Sequence, residues 1–290
     1  MPSGRPLEYA SMSTVAILGA GEIGSAIAQR LAERERVREI RLVDEEAAVA
    51  AGKSLDIQQS APVRGFDTRL VATADVLTAA GTDVVVLADA LDGGEWRDER
   101  GLEVVEKLMR AGTRAPLVFA GPSQTTLLEA CANDLGLPID RVIGSAASAT
   151  LGAVRAMVGA EIDAAGTDVS VVVAGRPPHL VVGWTSATIA GSPISSALPA
   201  HRMLAIGDSL GRLWPPGPYA IASATAQIVE ALAGRSHRRH QAVAVLDGEF
   251  GARKVAAMLA LELGHGRILR RTEPTLSPQE RTEVINGLPT

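Results

Sequence analysis

Between Thr14 and Gly144 the chain alternates short β-branched runs with stretches of helical pattern, and that alternation leaves few folds open to it. The runs are TVAIL (14–18), EIRLV (39–43), TRLVA (68–72), DVVVLA (83–88), PLVFA (116–120) and RVIG (141–144). They are predominantly apolar rather than alternating apolar with polar, so each must be covered on both faces. Stretches such as SAIAQRLAERE and GLEVVEKLMRAG lie between them and supply the covering helices. Strand–helix–strand order of this kind predicts an α/β fold built on a parallel sheet.

After about residue 150 the rhythm changes. An Ala-rich helical pattern (146–158) precedes strands near 169–174 and 180–184, then helices near 200–213 and 219–233. The run QAVAVLDGEFG (241–251) reads as a strand and a turn. In the tail, Ser277 stands as N-cap, Pro278 at the first helical position and Glu280 two further on, a capping box that opens a last helix. The second half is therefore expected to be mixed α+β, with no obvious linker before it. Residues 1–13 hold Pro, Gly and Ser without an apolar run; they read as a flexible leader rather than a signal peptide or an anchor.

Composition narrows the function classes. Of 290 residues, 47% are hydrophobic and 21% charged, a soluble globular balance that can bury a substantial core. Only 3% are aromatic, so that core must be built from Ala, Val, Leu and Ile, and few rings are available to stack on bases. A net charge of −5 gives no basic footprint for nucleic acid. The one basic run, Arg235 to His240, reads as a solvated helix end. No segment approaches the roughly 18 uninterrupted apolar residues of a membrane helix. Cys131 is the only cysteine, inside an apolar-periodic stretch, which suits a buried thiol and a reducing cytoplasm. No metal-ligand cluster is expected.

One motif carries chemistry. Gly19-x-Gly21-x-x-Gly24 follows the first strand immediately and opens a helix. In a dinucleotide-binding turn the first glycine permits the tight bend, the second lets a pyrophosphate approach the backbone, and the third lets helix and strand pack closely. The helix amides then face the phosphates. Asp44 ends the second strand twenty residues after Gly24, placed to accept hydrogen bonds from both hydroxyls of a ribose and to repel a 2′-phosphate. The expected cofactor is NAD. Its contacts are expected from Gly19, Ala20, Gly21, Glu22, Ile23 and Gly24, from Asp44 and Glu45, and from Ala88 at the fourth strand's end. These features assign residues 14–145 to an N-terminal Rossmann domain.

The chain resembles the lactate/malate dehydrogenase family from about Thr14 to Leu288. Beyond the glycine turn the resemblance runs through LVDEEAAVAAGKSLDIQQSAP (42–62), LGLPIDRVIG (135–144), GSPI (191–194) and LDGEFG (246–251), with the segment between Gly191 and Tyr219 shortened. It implies that residues 146–290 form an α+β catalytic domain of the family's type. It also implies a small-molecule substrate and assembly as a homodimer or homotetramer.

The family transfers a proton through a His–Asp pair and clamps the substrate carboxylate with an arginine. Carried over position by position, the catalytic histidine becomes Arg176, its aspartate partner Thr150 and the clamping arginine Ala153. The asparagine of the family's Thr-Asn-Pro turn becomes Gly121, and one arginine of the mobile loop, Arg97, is kept. Arg176 cannot act as a general base, because a guanidinium keeps its proton in proteins. It is left to bind a carboxylate or to stabilise charge on oxygen. His179, beyond Pro177 and Pro178, either supplies the proton from a displaced loop or fills a turn. Asp89, Asp92 and Glu95 fall where a substrate's distal end lies in the family; they either disfavour a dicarboxylate or are simply solvated. Trp96, beside Arg97, reads either as an apolar wall or as a lid contact. Arg155, two residues past Ala153 on a helix, points elsewhere and does not restore the clamp.

The expectation is an NAD-dependent oxidoreductase with a re-specified pocket. Arg97, Arg176 and His179 are its catalytic candidates, and its substrate is a hydroxy/oxo or amino/imino compound outside lactate and malate. The alternatives are an NAD-binding protein without dehydrogenase activity, acting as a partner or scaffold, and an enzyme that uses NAD without net redox change.

Overall fold

Alternate residues of the first strands face opposite ways into apolar surroundings, and this organises the fold. In the computed structural model, which describes residues 13–90, 94–234 and 239–289, Val15 and Ile17 join one buried cluster while Ala16 and Leu18 join another. Val84 and Val86 divide from Val85 and Leu87 in the same way. Both faces of the sheet are therefore covered, as a parallel sheet requires. Leader residues 1–12, Asp92, and residues 235–238 of the basic run lie outside the described residues.

The parallel half comprises β1 (Thr14–Leu18), β2 (Glu39–Val43), β3 (Arg69–Thr73), β4 (Val84–Leu87), β5 (Leu117–Phe119) and β6 (Val142–Gly144). Their spatial order is β3-β2-β1-β4-β5-β6, with β1 pairing β2 on one side and β4 on the other. The order reverses between β1 and β4, and the crevice outside the carboxyl ends of those strands is where open α/β sheets take ligands. Helices α1 (Glu22–Arg34), α2 (Ala47–Arg64), α3 (Asp98–Arg110) and α4 (Thr125–Asn133) make the crossovers.

The sheet does not stop at β6. After α5 (Ser148–Glu161), a hairpin of β7 (Val169–Arg176) and β8 (His179–Ile189) leads to the short β9 (Ser192–Pro193). Helices α6 (Ala200–Ser209) and α7 (Pro218–Ala233) follow, then β10 (Arg239–Asp247), β11 (Arg253–Gly264) and β12 (Arg267–Thr272), and α8 (Pro278–Asn286) closes the chain. Strand β10 pairs antiparallel with β6, and the order continues β10-β11-β7-β8-β9 with β12 on β11. Gly144 permits the junction: a Cβ there would stand 3.0 Å from that of Val243. The expected parallel-then-mixed α/β architecture is observed. Strands β11 and β12 are additions to the sequence reading, and the expected helix over 200–213 ends at Ser209 before a tighter turn over Leu210–Leu213. Among the described residues no helix is long and apolar enough to cross a membrane.

The capping box forms in full and also docks its helix. Ser277 Oγ accepts from the Glu280 amide at 3.2 Å, and Glu280 Oε2 accepts from the Ser277 amide at 2.7 Å. The other Glu280 oxygen accepts from the amides of Trp184 (2.8 Å) and Thr185 (3.2 Å) on β8. Burial pushes this carboxyl up, but the hydrogen bonds from Ser277 and Thr185 outweigh it and hold Glu280 below the usual carboxylate range. We expect Ser277→Ala to cost about 0.5–2 kcal/mol, as for other N-caps, and Glu280→Gln to cost more because β8 loses its anchor as well. A depressed carboxyl stabilises the fold above its unfolded pKa and loses that contribution as pH falls through the folded value. Denaturation curves should therefore show the Glu280→Gln deficit shrinking as pH drops below about 4, near the unperturbed carboxylate value.

Candidate functional site

The glycine turn lies at the carboxyl end of β1, where the sheet order reverses. Gly19 has φ +108°, a left-handed conformation that favours glycine. A Cβ on Gly24 would collide with the Gly19 carbonyl, so the third glycine sets how closely α1 approaches β1. Asp44, 3% exposed at the end of β2, turns its carboxylate into this turn. One oxygen accepts from the Ala20 amide at 2.7 Å and the other from the Glu46 amide at 3.0 Å. Each carboxylate oxygen has a second lone pair, so acceptor capacity for ribose hydroxyls remains. The turn and Asp44 fit the adenosine end of a dinucleotide.

The phosphate end holds a side chain that the sequence placed elsewhere. The N-cap of α1, Gly21, has no side chain with which to satisfy the first-turn amides. Asp89, directly after β4 and Ala88, satisfies them instead: Oδ2 accepts from Ile23 at 3.0 Å and Oδ1 from Gly24 at 2.8 Å. The Asp89 carbonyl accepts from the Gly21 amide at 3.0 Å. A Cβ on Gly21 would lie 2.5 Å from the Asp89 carboxylate and 2.6 Å from the Ala90 carbonyl. Asp89 is 5% exposed, so it is neither a solvated acid nor a lining for the distal end of a substrate.

Glu95 leaves the same short ladder in the opposite direction. Asp89 and Glu95 form an antiparallel bridge, and the Ala90 amide donates to Gly94 at 2.7 Å. The Glu95 carboxylate accepts from the Ser123 amide at 2.8 Å and lies against Gly121, where a Cβ would collide with it. Burial pushes the Glu95 carboxyl up and nearby Asp89 adds to this, while the bonds from Ser123 and the charge of Arg97 pull it back. Gln124, buried, holds this turn to the sheet: its Oε1 accepts from the Gly121 amide at 2.9 Å and its Nε2 donates to the Ala88 carbonyl at 3.2 Å. Its place between two strand ends was not legible from local sequence.

Arg176, at the end of β7, is already paired. Its guanidinium forks onto Glu129 of α4, with Nη2 to Oε2 at 3.1 Å and Nη1 to Oε1 in close contact. Glu129 Oε1 also accepts from the Ala256 amide at 2.5 Å, and Arg176 Nη1 reaches the Ala256 carbonyl at 3.4 Å. Thr150 is 1% exposed and spends its hydroxyl on the Ala147 carbonyl at 2.6 Å. The neighbouring corner, lined by Gly121, Gln124, Ala147, Pro177, Trp214 and Val243, retains about 10 Å³. That is room for about one water. Neither Arg97 nor His179 lines it. Arg97 is exposed at the start of α3 with Asp98 at 4.0 Å, and His179 is exposed at the head of β8 beside Gly287.

Other sequence candidates resolve differently. Glu45 is exposed and accepts from Arg100 at 3.0 Å, and Arg100 stacks 4.6 Å from the Trp96 ring. Trp96 itself is buried, with its indole N–H on the Leu18 carbonyl at 3.0 Å, so it belongs to the core under the turn. Arg155 lines a larger cavity of about 1070 Å³ together with Thr150, Ala153, Arg239 and Gln241. Burial pushes the Cys131 thiol up to about 12, with Asp134 adding to the shift, which leaves it a packed, un-ionised group.

Comparison with known proteins agrees with this geometry. Residues 13–100 match the family model for the lactate/malate dehydrogenase NAD-binding domain. A malate dehydrogenase of Thioalkalivibrio sulfidiphilus is 30% identical over 296 residues, covering 96% of each chain, and one of Chloroherpeton thalassium is 29% identical over 93% of each. Among solved structures, malate dehydrogenase from Salinibacter ruber superposes with a TM-score of 0.85 at 24% identity, covering 94% of this chain and 93% of that one. A minor L-lactate dehydrogenase from Enterococcus mundtii gives 0.85 at 18% identity over 96% of both chains. The chain belongs to the lactate/malate dehydrogenase family of NAD-dependent oxidoreductases and carries that family's NAD-binding domain.

Proposed function

We propose that this oxidoreductase acts on a hydroxy/oxo or amino/imino compound other than malate or lactate. The observation that carries the reading is the Arg176–Glu129 pair; Arg176 is the residue that the resemblance, carried over position by position, sets against the family's proton-transferring imidazole. A guanidinium does not release its proton, and one forked onto a carboxylate is neutralised against a second. Thr150 brings no charge to orient an imidazolium, and Ala153 no cation to clamp a carboxylate.

In this reading residues 14–145 hold the cofactor and 146–290 face the substrate. NAD, when bound, supplies the hydride acceptor or donor. Gly19 to Gly24 offer backbone amides to its phosphates, Asp44 accepts from a ribose and rejects a 2′-phosphate, and Ala88 walls the cleft. Glu95 is the titratable group lying over the turn after β5, and its raised pKa suits it to exchange a proton there. Arg97 and His179, both exposed, are left to meet a substrate from the rim. Exposed Leu55 and Val63 on α2 give an apolar face for assembly as a homodimer or homotetramer, and the single buried cysteine suits the cytoplasm.

A second reading, NAD binding without turnover, is favoured by the pairing of Arg176 with Glu129, which leaves neither group free to exchange a proton. Stopped-flow oxidation of bound NADH with a panel of oxo acids, ketones and imines separates the two; silence with every compound selects the second.

The Arg176–Glu129 pair sets four expected outcomes. Turnover with oxaloacetate or pyruvate should fall below that of an ordinary relative by at least about 10²–10⁴, the usual cost of losing a positioned acid–base group. Arg176→His should not restore it, because Thr150 supplies no carboxylate partner; steady-state assays check both. Glu129→Gln should destabilise the protein by about 1–3 kcal/mol, the cost of leaving a mostly buried charged donor without its acceptor. A paired Arg176→Met, Glu129→Leu variant should recover part of that loss in denaturation curves.

A further inference from the structure

We propose that Asp89 is a built-in substitute for the cofactor's phosphate, so that NAD binds by displacing a residue of the chain itself. Three oxygens of this one residue meet three donors of the cradle, the amides of Gly21, Ile23 and Gly24. Its carbonyl takes the Gly21 amide at 3.0 Å, Oδ2 the Ile23 amide at 3.0 Å and Oδ1 the Gly24 amide at 2.8 Å. A phosphate bound at a helix start uses the same set: several oxygens, negative charge, and the free amides and positive end of the first turn.

The overlap extends to the space above the turn. The second glycine exists to let a ligand approach the backbone, yet the atoms nearest its absent Cβ are the Asp89 carboxylate and the Ala90 carbonyl. A pyrophosphate and Asp89 cannot both occupy that volume, and their like charges oppose sharing it. Burial holds the carboxylate in place, and the ladder between Ala90 and Gly94 ties its backbone down. The binding-competent form is therefore the fraction of molecules in which Asp89 has left the cradle. The apparent dissociation constant rises by the inverse of that fraction. Asp89 thus limits how tightly the cleft holds any ligand with a phosphate at this position, and it keeps the α1 amides satisfied when none is bound.

The inference rests on NAD binding at this turn, and the test separates the two. Calorimetric titrations with NADH and with ADP-ribose are run on the wild type, Asp89→Ala, Asp89→Asn and the control Glu99→Ala, which removes an exposed acid from α3. Asp89→Ala should bind both ligands about tenfold or more tightly. Asp89→Asn, which keeps the shape without the charge, should shift the same way by less, and it serves if the alanine variant does not fold. Glu99→Ala should match the wild type. In the absence of ligand, both Asp89 variants should melt at lower temperature, because the first-turn amides lose their acceptor. Unchanged or weaker binding in the Asp89 variants overturns the proposal and leaves NAD binding standing, as does tightening for NADH without tightening for ADP-ribose. Failure of every form, wild type included, to bind either ligand overturns both.

Discussion

Three missing β-carbons, at Gly19, Gly21 and Gly24, let main chain pack against main chain at the head of β1, and the behaviour of the whole cleft follows from that closeness. A Cβ on Gly24 would collide with the Gly19 carbonyl, and one on Gly19 with the Asp89 carbonyl. The turn is consequently fixed between β1 and β4, with its amides pointing at a single small volume. Helix-start amides that lie away from water need acceptors whether or not a cofactor is present. A chain whose N-cap is glycine has no local oxygen to offer, and here Asp89 provides it from 65 residues away along the sequence. The cradle that makes the domain a dinucleotide binder is thus also a structural demand that something must meet in the free protein.

The corner beside it obeys a related logic with a different outcome. There the Arg176 guanidinium faces the Glu129 carboxylate. A mostly buried ion pair is stable only when further hydrogen bonds satisfy its remaining lone pairs and protons. Ala256 supplies one of each, its amide to Glu129 and its carbonyl to Arg176. The result ties β7, α4 and β11 together as a joint between the parallel and antiparallel halves. Its contacts involve no residue of the glycine turn, so the joint and the frame at the turn are held by separate sets of bonds.

What the sequence made legible was what local spacing controls. The strand runs from Thr14 to Gly144 coincide with the observed strands to within a residue at nearly every end, and the box at Ser277 and Glu280 closes as its spacing demands. The segment KVAAMLALELG (254–264) was not read as a strand, since Ala, Leu, Met and Glu are helix formers. It becomes β11 because β10, β12 and β7 pair with it and bury most of its length, a tertiary effect that outweighs propensity. The partner of Arg176, Glu129, lies 47 residues away on another element, beyond the reach of any local pattern. The acids of the 89–95 segment were read as a cluster sharing one environment. Strand direction separates them, sending Asp89 towards α1 and Glu95 towards the turn after β5.

That separation sets two carboxylates on opposite sides of one short bridge. Asp89 and Glu95 are bridged across one short ladder, with the Ala90 amide on the Gly94 carbonyl at 2.7 Å. One end of the ladder occupies the phosphate cradle, and the other lies against Gly121, which also lines the closed corner. One short bridge of backbone therefore carries both carboxylates, one turned to the first amides of α1 and the other to the Ser123 amide after β5.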